Sequence, residues 1–438
     1  MAPARWLVRT SFSLGLILAT GSAFGQAGRP TRSSAIAVTA DGSRVWVVNP
    51  DSNSVTVLET AGDTVVGEIP AGGSPRTLAI GPDGGRVYVA NLESNDLSVI
   101  DTSTLSEIAR VPIGAQPFGV AVSPDGGRLY VTNSARQRVT VLSTATLAVL
   151  AQIPTPPRPR GVAVSADGSQ IVVTHFLTPV PALSGIVTLI YGASNSVVAG
   201  VPLALLPGLP GVADIIEQVV IRPGTSLAWI PMVQLETGNP NPQLTTTVHP
   251  AFAVVDITAR TEVAALRTSL DRTLSRVVSQ PTAVDFSPDG AVALIVNMAS
   301  DDLVLMRAAT RAETGILPVG SAPQGVAVTP DGGKAYVSNY VGRSVTVVSV
   351  ADPAAASILK TVQVTAEPLP SSVINGKRLF FTSRGRMSTD NRIACISCHP
   401  HGGHDGRDWN FTRLGEGIRN TTDIQGIVDS GAVHWTAN

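Results

Sequence analysis

The sequence predicts a mainly β fold: a seven-bladed β-propeller of four-stranded antiparallel blades, followed by a small, partial α-helical domain. Three observations predict it. Asp-Gly pairs recur every 42 residues, at Asp41, Asp83, Asp125 and Asp167 and again at Asp289 and Asp331. Each pair joins two short alternating apolar runs, the pattern of a hairpin. The composition is rich in turn formers (41 Gly and 32 Pro in 438 residues) and only 14% charged, which favours strands over helices.

The N-terminus reads as an export signal over residues 1–25. Arg5 and Arg9 are the positive region, residues 12–23 the apolar stretch, and Ala23-Phe24-Gly25 the small-residue cleavage site. The apolar run is shorter than the ~20 residues a membrane span needs. No later stretch is long and apolar enough to span a membrane, so the expected protein is periplasmic or secreted, with no membrane span after cleavage.

Residues 33–367 carry the repeat. Each unit opens with a run such as Val120-Ala121-Val122, turns at Asp-Gly, and continues into a second strand ending in Asn49, Asn91, Asn133, Asn297 or Asn339. Polar turns lead to third strands at 55–58, 97–100, 139–142, 303–306 and 345–348, and Gly-x-x-Pro elements mark the unit ends at 72–75, 114–117 and 320–323. Period-two alternation gives each strand one face to bury. Such a sheet cannot cover both faces alone, so the units must stack, and a closed ring of them is a propeller. The 122 residues between Asp167 and Asp289 hold a degenerate unit. It begins at Val219-Val220-Ile221, has its third strand at 253–256, and carries its surplus in loops near 178–181, 203–210, 237–248 and 268–280. The total is seven.

Val87-Tyr88-Val89-Ala90-Asn91 and Leu129-Tyr130-Val131-Thr132-Asn133 resemble the YVTN family of propeller repeats. That resemblance implies the fold and is silent on function, because propellers host many unrelated sites.

The repeat stops near Pro368. Val373, Ile374, Leu379 and Phe380 are spaced for a short helix over 372–381. The chain's two cysteines follow as Cys395-Ile396-Ser397-Cys398-His399. Two cysteines three apart exclude a disulfide framework, and Cys-x-x-Cys-His is the attachment pattern of haem c. The expectation is one covalent haem c, bound through Cys395 and Cys398, with His399 as proximal ligand of the iron. A redox dithiol would need a βαβ setting that the flanks lack. A zinc site of Cys395, Cys398, His401 and His404 would have unusually short spacing.

The surrounding stretches Asn375-Gly376-Lys377-Arg378-Leu379-Phe380-Phe381, Arg386-Met387-Ser388, Gly402-Gly403-His404-Asp405-Gly406-Arg407 and Arg419-Asn420-Thr421-Thr422 resemble the first haem domain of bacterial di-haem cytochrome c peroxidases and their methylamine-utilisation relatives. The resemblance covers residues 372–438. It implies haem binding by Cys395, Cys398 and His399, electron transfer in a peroxidase-like oxidoreductase framework, and a domain that is partial here, without that family's second haem motif. Gly415-Glu416 stands where many relatives carry a second axial histidine. The sixth position is left to Met387, His401, His404, His434 or no residue. A working peroxidase would need that position open to hydrogen peroxide.

The expected partner is a redox protein, a small cytochrome or a cupredoxin. Basic residues of the haem segment (Lys377, Arg378, Arg384, Arg386, Arg392, Arg407, Arg413 and Arg419) would solvate its surface, pair with propionates or steer an acidic partner. The propeller would be the docking platform. The alternative is a propeller that binds a ligand or surface, with a vestigial haem segment. A net charge of −1 with no basic stripe argues against nucleic acid, and no nucleophile elbow or phosphate loop is present. His175 is expected as a hydrogen-bonded strand end and His249 as a loop residue. Asp51, Glu93, Asp96, Asp301 and Asp302 are expected in turns.

Overall fold

The computed structural model describes residues 29–178, 184–209, 211–239, 247–385, 391, 393–400, 405, 407–412 and 417–421. The expected signal peptide, together with Met387, His401, His404, Gly415, Glu416 and His434, lies outside the described residues.

Seven sheets follow one another along the chain. Blade 1 consists of Ile36–Val38, Arg44–Asn49, Ser54–Glu59 and Thr64–Pro70, each strand antiparallel to the next. Blades 2, 3 and 4 repeat this order from Pro75, Pro117 and Pro159, and blades 6 and 7 from Pro281 and Pro323. First strands of neighbouring blades touch and line the centre, while fourth strands form the exposed rim. Alternation does the stacking: Val45 and Val47 pack on blade 7, whereas Trp46 and Val48 pack on blade 2. With both sheet faces covered, the second and third strands are buried almost throughout.

Two repeat signatures have a geometric cause. The Asn ending a second strand bridges to the third: Asn49 Nδ2 donates to Ser54 Oγ at 3.0 Å and Thr56 Oγ1 at 2.8 Å, and Asn339 does the same to Ser344 and Thr346. The glycine of Gly-x-x-Pro makes room for that amide. A Cβ on Gly72 would lie 2.4 Å from Asn91 Nδ2, and one on Gly320 would lie 2.5 Å from Asn339 Nδ2.

The Asp-Gly turn differs from expectation. Of the pair, only the glycine takes positive φ, as at Gly42 (73°) and Gly84 (71°). Asp41 instead accepts hydrogen bonds, from Thr39 Oγ1 at 2.6 Å and from the Ser43 amide at 3.0 Å. The aspartate caps the turn with its side chain, and glycine alone supplies the left-handed residue.

Blade 5 is the degenerate unit, with Val212–Asp214, Val220–Ile221, Leu227–Leu235, Val248–Asp256, Thr261–Glu262 and Thr268–Ser269. Its third strand is longer than the expected 253–256, because pairing runs on to Leu235↔Val248. His249 is therefore a buried strand residue, not a loop residue. Its Nδ1 lies 3.2 Å from Asp271 Oδ2 on the one-turn helix α1 (Leu270–Thr273).

Among the described residues no blade shares strands from both chain ends. Blade 1 meets blade 7 through Ile36, Val47 and Leu58 against Tyr336, Val345 and Val347. Asp63 latches the rim, accepting from Lys334 Nζ at 2.9 Å and from the Tyr336 hydroxyl at 2.6 Å.

An extended segment ahead of blade 1 fills the centre. Thr31–Arg32 pairs with the first strand of blade 4. Thr31 Oγ1 donates to Val122 O of blade 3, and Ser34 exchanges backbone hydrogen bonds with Leu78 of blade 2. Gln218 of blade 5 donates to Ser33 O. Arg32 forms a 2.7 Å ion pair with Asp285 of blade 6 and reaches Val326 O of blade 7. Six blades are thus tied to one strand that continues into the seventh. Among the described residues no helix is long and apolar enough to cross a membrane.

The segment expected as a small, partial α-helical domain follows the ring. The described residues after 367 form helix α2 (Ser371–Phe381), the one-turn helix α3 (Cys395–Cys398) and a hairpin of Asp408–Phe411 with Gly417–Asn420. They lie on the propeller and share its core.

Replacing Arg32 with Ala should lower stability by about 2 kcal/mol, below the roughly 3–5 kcal/mol of a broken fully buried pair because Arg32 keeps 20% of its side chain exposed, read as a melting midpoint several degrees lower. The turn carboxylates Asp41, Asp125, Asp167, Asp289 and Asp331 are all held below 3.8, first by a side-chain hydroxyl. Depressed carboxyls stabilise the fold above their unfolded value and lose that contribution as pH falls below 3.8. Changing all five to Asn should flatten the decline of the melting midpoint below pH 4 relative to wild type.

Candidate functional site

The segment carrying the cysteines crosses the propeller face on which the second strands end. Among the described residues, apolar contact and three ion pairs hold it there. Ile374 and Phe381 of α2, with Ala394 and Ile396, pack on Met298, Ala299, Ala322 and Val341 of blades 6 and 7. Phe381 meets Tyr340 edge-on, with ring centroids 5.5 Å apart.

Lys377 Nζ lies 2.6 Å from Asp51 of blade 1 and 4.1 Å from the Tyr340 ring centroid. Arg384 binds Asp302 of blade 6 at 2.8 Å and also donates to Ser300 O. Arg407 Nε binds Asp214 of blade 5 at 2.6 Å, with both side chains buried. Burial pushes Asp214 up to about 6 against the pull of Arg407. Lys377, Arg384 and Arg407 therefore pair with carboxylates of the chain's own propeller, a use beyond the three the sequence suggested. Asp51 is a clamp as well as a turn residue, whereas Asp302, expected in a turn, opens the strand Asp302–Arg307 and clamps from there.

Ile393 and Ala394 lead into α3. Its single turn is held by the Ser397 amide on Ala394 O (2.9 Å) and the His399 amide on Cys395 O (2.9 Å). Spacing of i and i+3 puts Cys395 and Cys398 on one side of that turn, and His399 leaves it directly. Cys395 is exposed; Cys398 is half-buried, packed with Ile393 against Phe176, Leu177 and Trp409. Asp405 closes the loop behind it: its amide donates to Cys398 O at 3.1 Å, and its carboxylate accepts from Trp409 Nε1 at 2.9 Å. Burial raises both thiols, and Asp405 adds to the rise at Cys398.

The structure thus brings Cys395, Cys398 and His399 together at the edge of the segment, against blades 4 and 5. Among the described residues no three His, Cys, Asp or Glu side chains gather as a metal-binding group. His175 is the hydrogen-bonded strand end expected of it: Nδ1 lies 2.9 Å from Pro157 O and Nε2 2.9 Å from Thr188 Oγ1, and burial pushes it down to about 4.

One set of residues escaped the sequence. The first strands of blades 2, 3, 4, 6 and 7 are irregular just after their opening proline, which re-aims the next side chain. Those side chains are Arg76, Phe118, Arg160, Thr282 and Gln324. Arg76, Phe118, Thr282 and Gln324 share one small cavity at the mouth of the channel, with Ser33, Glu217 and Gln218. The available signal was a position of changing chemistry inside an otherwise constant repeat.

A family model for lactonase, 7-bladed beta-propeller, matches residues 18–111. That match spans 94 of the 438 residues, and the ring itself is a seven-bladed β-propeller. A chain of Kuenenia stuttgartiensis hydrazine synthase superposes on the propeller chain with a TM-score of 0.66 at 22% identity, over 77% of this chain and 99% of that one. A functionally unknown protein from Desulfotomaculum acetoxidans DSM 771 gives a TM-score of 0.47 at 16% identity, over 63% and 79%. No curated protein matches. The likeness is one of fold, and it gives no support to a cytochrome at residues 372–438.

Replacing Arg407 with Ala should strand Asp214 in the core at a cost of about 3 kcal/mol, releasing the segment from blade 5. Faster backbone hydrogen exchange at 393–412, with the ring strands unchanged, is the expected readout. Asp214 titrates above its unfolded value of 3.8, so its burial destabilises the fold as pH rises through about 6. The cost of the substitution should accordingly be larger at pH 7 than at pH 5.

Proposed function

We propose that this chain is a periplasmic or secreted haem c protein that passes electrons to or from a redox partner protein. The carrying observation is the seating of Cys-x-x-Cys-His on the one-turn helix α3, with both thiols on one side and His399 next in line. That donor set fits a covalently held porphyrin. Each thiol would add its S–H across one vinyl double bond, a step that consumes no oxidant and needs both cysteines reduced. His399 would then offer an imidazole nitrogen to the iron. Haem c, when bound, supplies a reversible one-electron carrier whose potential follows its axial ligands and burial.

The remaining residues shape the setting. Phe176, Leu177 and Trp409 keep water from the Cys398 side, while Cys395 stays exposed. The ion pairs of Lys377, Arg384 and Arg407 hold the segment against the ring. The propeller then serves as the rigid platform of the attachment site and as a docking surface for a small cytochrome or cupredoxin. A peroxidase role toward hydrogen peroxide is the finer proposal within this framework, and it requires an open sixth position.

The test is expression in a periplasm equipped for cytochrome c maturation, followed by a haem-stained denaturing gel and a reduced-minus-oxidised spectrum. Staining that survives denaturation, with a sharp α band, is expected, and both should vanish in Cys395→Ala/Cys398→Ala. A high-spin ferric spectrum would favour the peroxidase role. A correctly exported chain with no covalent haem would sink the reading and leave the propeller as a binding module.

A further inference from the structure

Beside Pro400, the residue after His399, lies a cavity of about 380 Å³. Arg158, Arg160, Gln116, Gln137 and Phe176 line it. Arg160 is held in an unusual way. Its guanidinium sits between two aromatic rings, 4.1 Å from the Phe118 centroid and 4.0 Å from the Phe176 centroid. Its backbone is pinned, because its carbonyl accepts from Thr132 Oγ1 at 2.6 Å. Its Nε and Nη1 are buried and have no hydrogen-bond partner among the described residues.

Buried guanidinium nitrogens without a partner are costly, and these two have further cations close by. Arg76 and Arg158 both act on it electrostatically, against a single opposing carboxylate, Glu217. Burial and these two neighbours push Arg160 down to about 10, so it remains charged at neutral pH. Arg76 also has a buried Nε without a partner. Two stacked rings fix the plane of the Arg160 fork. Two-point contact with a carboxylate uses Nη2 of such a planar fork together with Nε or Nη1.

We propose that Arg160 and Arg158 form a carboxylate-binding site in this cavity, under the loop that carries the cysteines. The carboxylate comes from one of two sources: a propionate of a porphyrin held at Cys395 and Cys398, or a free small carboxylate. The first source rests on the haem reading above; the site itself does not.

The experiment has two arms. In the first, the full chain is made without haem maturation and titrated with succinate by calorimetry. Binding is expected, weakened at least tenfold in Arg160→Gln and in Arg158→Gln, and unchanged in Arg378→Gln, whose side chain is exposed on α2. Arg158 is also exposed, so its variant reads the site even if Arg160→Gln fails to fold. No succinate binding by the wild type, or equal binding by the Arg158 and Arg160 variants, overturns the site. In the second arm the haem-loaded chain is used. If the propionate is the source, loading abolishes succinate binding, and Arg160→Gln lowers the midpoint potential, by about 59 mV for a tenfold change in the one-electron equilibrium. If the loaded chain still binds succinate and its potential does not move, the carboxylate is a free one. Failure to acquire haem would remove the second arm and leave the first to decide.

Discussion

A ring of seven sheets has to close on itself, and here a strand outside the fourfold repeat, added to the inner edge of blade 4, ties the blades together. Propeller blades attract their neighbours sideways through apolar faces, but nothing in that attraction sets the diameter of the ring or seals its axis. The segment at 31–34 adds polar contacts from one strand to the surrounding blades. It offers hydrogen bonds to blades 2 to 5 and the Arg32 cation to blades 6 and 7 before becoming the first strand of blade 1. Asp285 shows how tightly the parts are coupled. It pairs with Arg32 and also accepts the amides of Phe286 and Val328, so blade 6, blade 7 and the central strand share one carboxylate. Gln218 plays a similar part, donating to Ser33 O and accepting from the Val284 amide.

The segment after the propeller uses a related device from outside. Lys377, Arg384 and Arg407 each reach a carboxylate on a different blade. Apolar packing of Ile374, Phe381 and Ile396 provides most of the affinity, since buried area is favourable whatever its direction. The ion pairs, costly to desolvate, are better understood as fixing position. Asp214 illustrates this. Even with Arg407 beside it, burial dominates its titration, so the pair contributes registry more than net stability.

The repeat was legible because its physics is local. Asp-Gly turns, period-two strands and the Asn at each second-strand end are set by residues within a few positions of one another, and they located six blades and the count of seven. The role of Gly72 could not be read in this way, because the amide it makes room for is Asn91, on another strand. Blade 5 was only half visible: its strands lengthen to Leu227–Leu235 and Val248–Asp256, and no Asp-Gly pair marks their register. The central strand was invisible. Thr31 and Arg32 have no alternation of their own, and their partners lie up to 294 residues away. Cys395, Cys398 and His399 were legible as a motif, whereas the destinations of Lys377, Arg384 and Arg407 depend on which blades the segment crosses.

The same distinction explains why Arg160 went unnoticed. In the sequence it is one arginine in Pro-Arg-Gly, at a place where other units carry Arg76, Phe118, Thr282 or Gln324. A repeat that must stack holds constant the positions that stack, such as the strand alternation and the proline that opens each first strand. The side chain after that proline is turned out of the ladder by a local irregularity and is exempt from stacking. Freed from that constraint, it can differ from blade to blade at no cost to the ring. The five such positions converge on the channel axis because every blade presents its first strand there. Chemical variety within a constant frame therefore collects at one end of the channel, next to the segment that carries the cysteines. In a propeller, the residues that break the repeat are the ones the fold leaves available for binding.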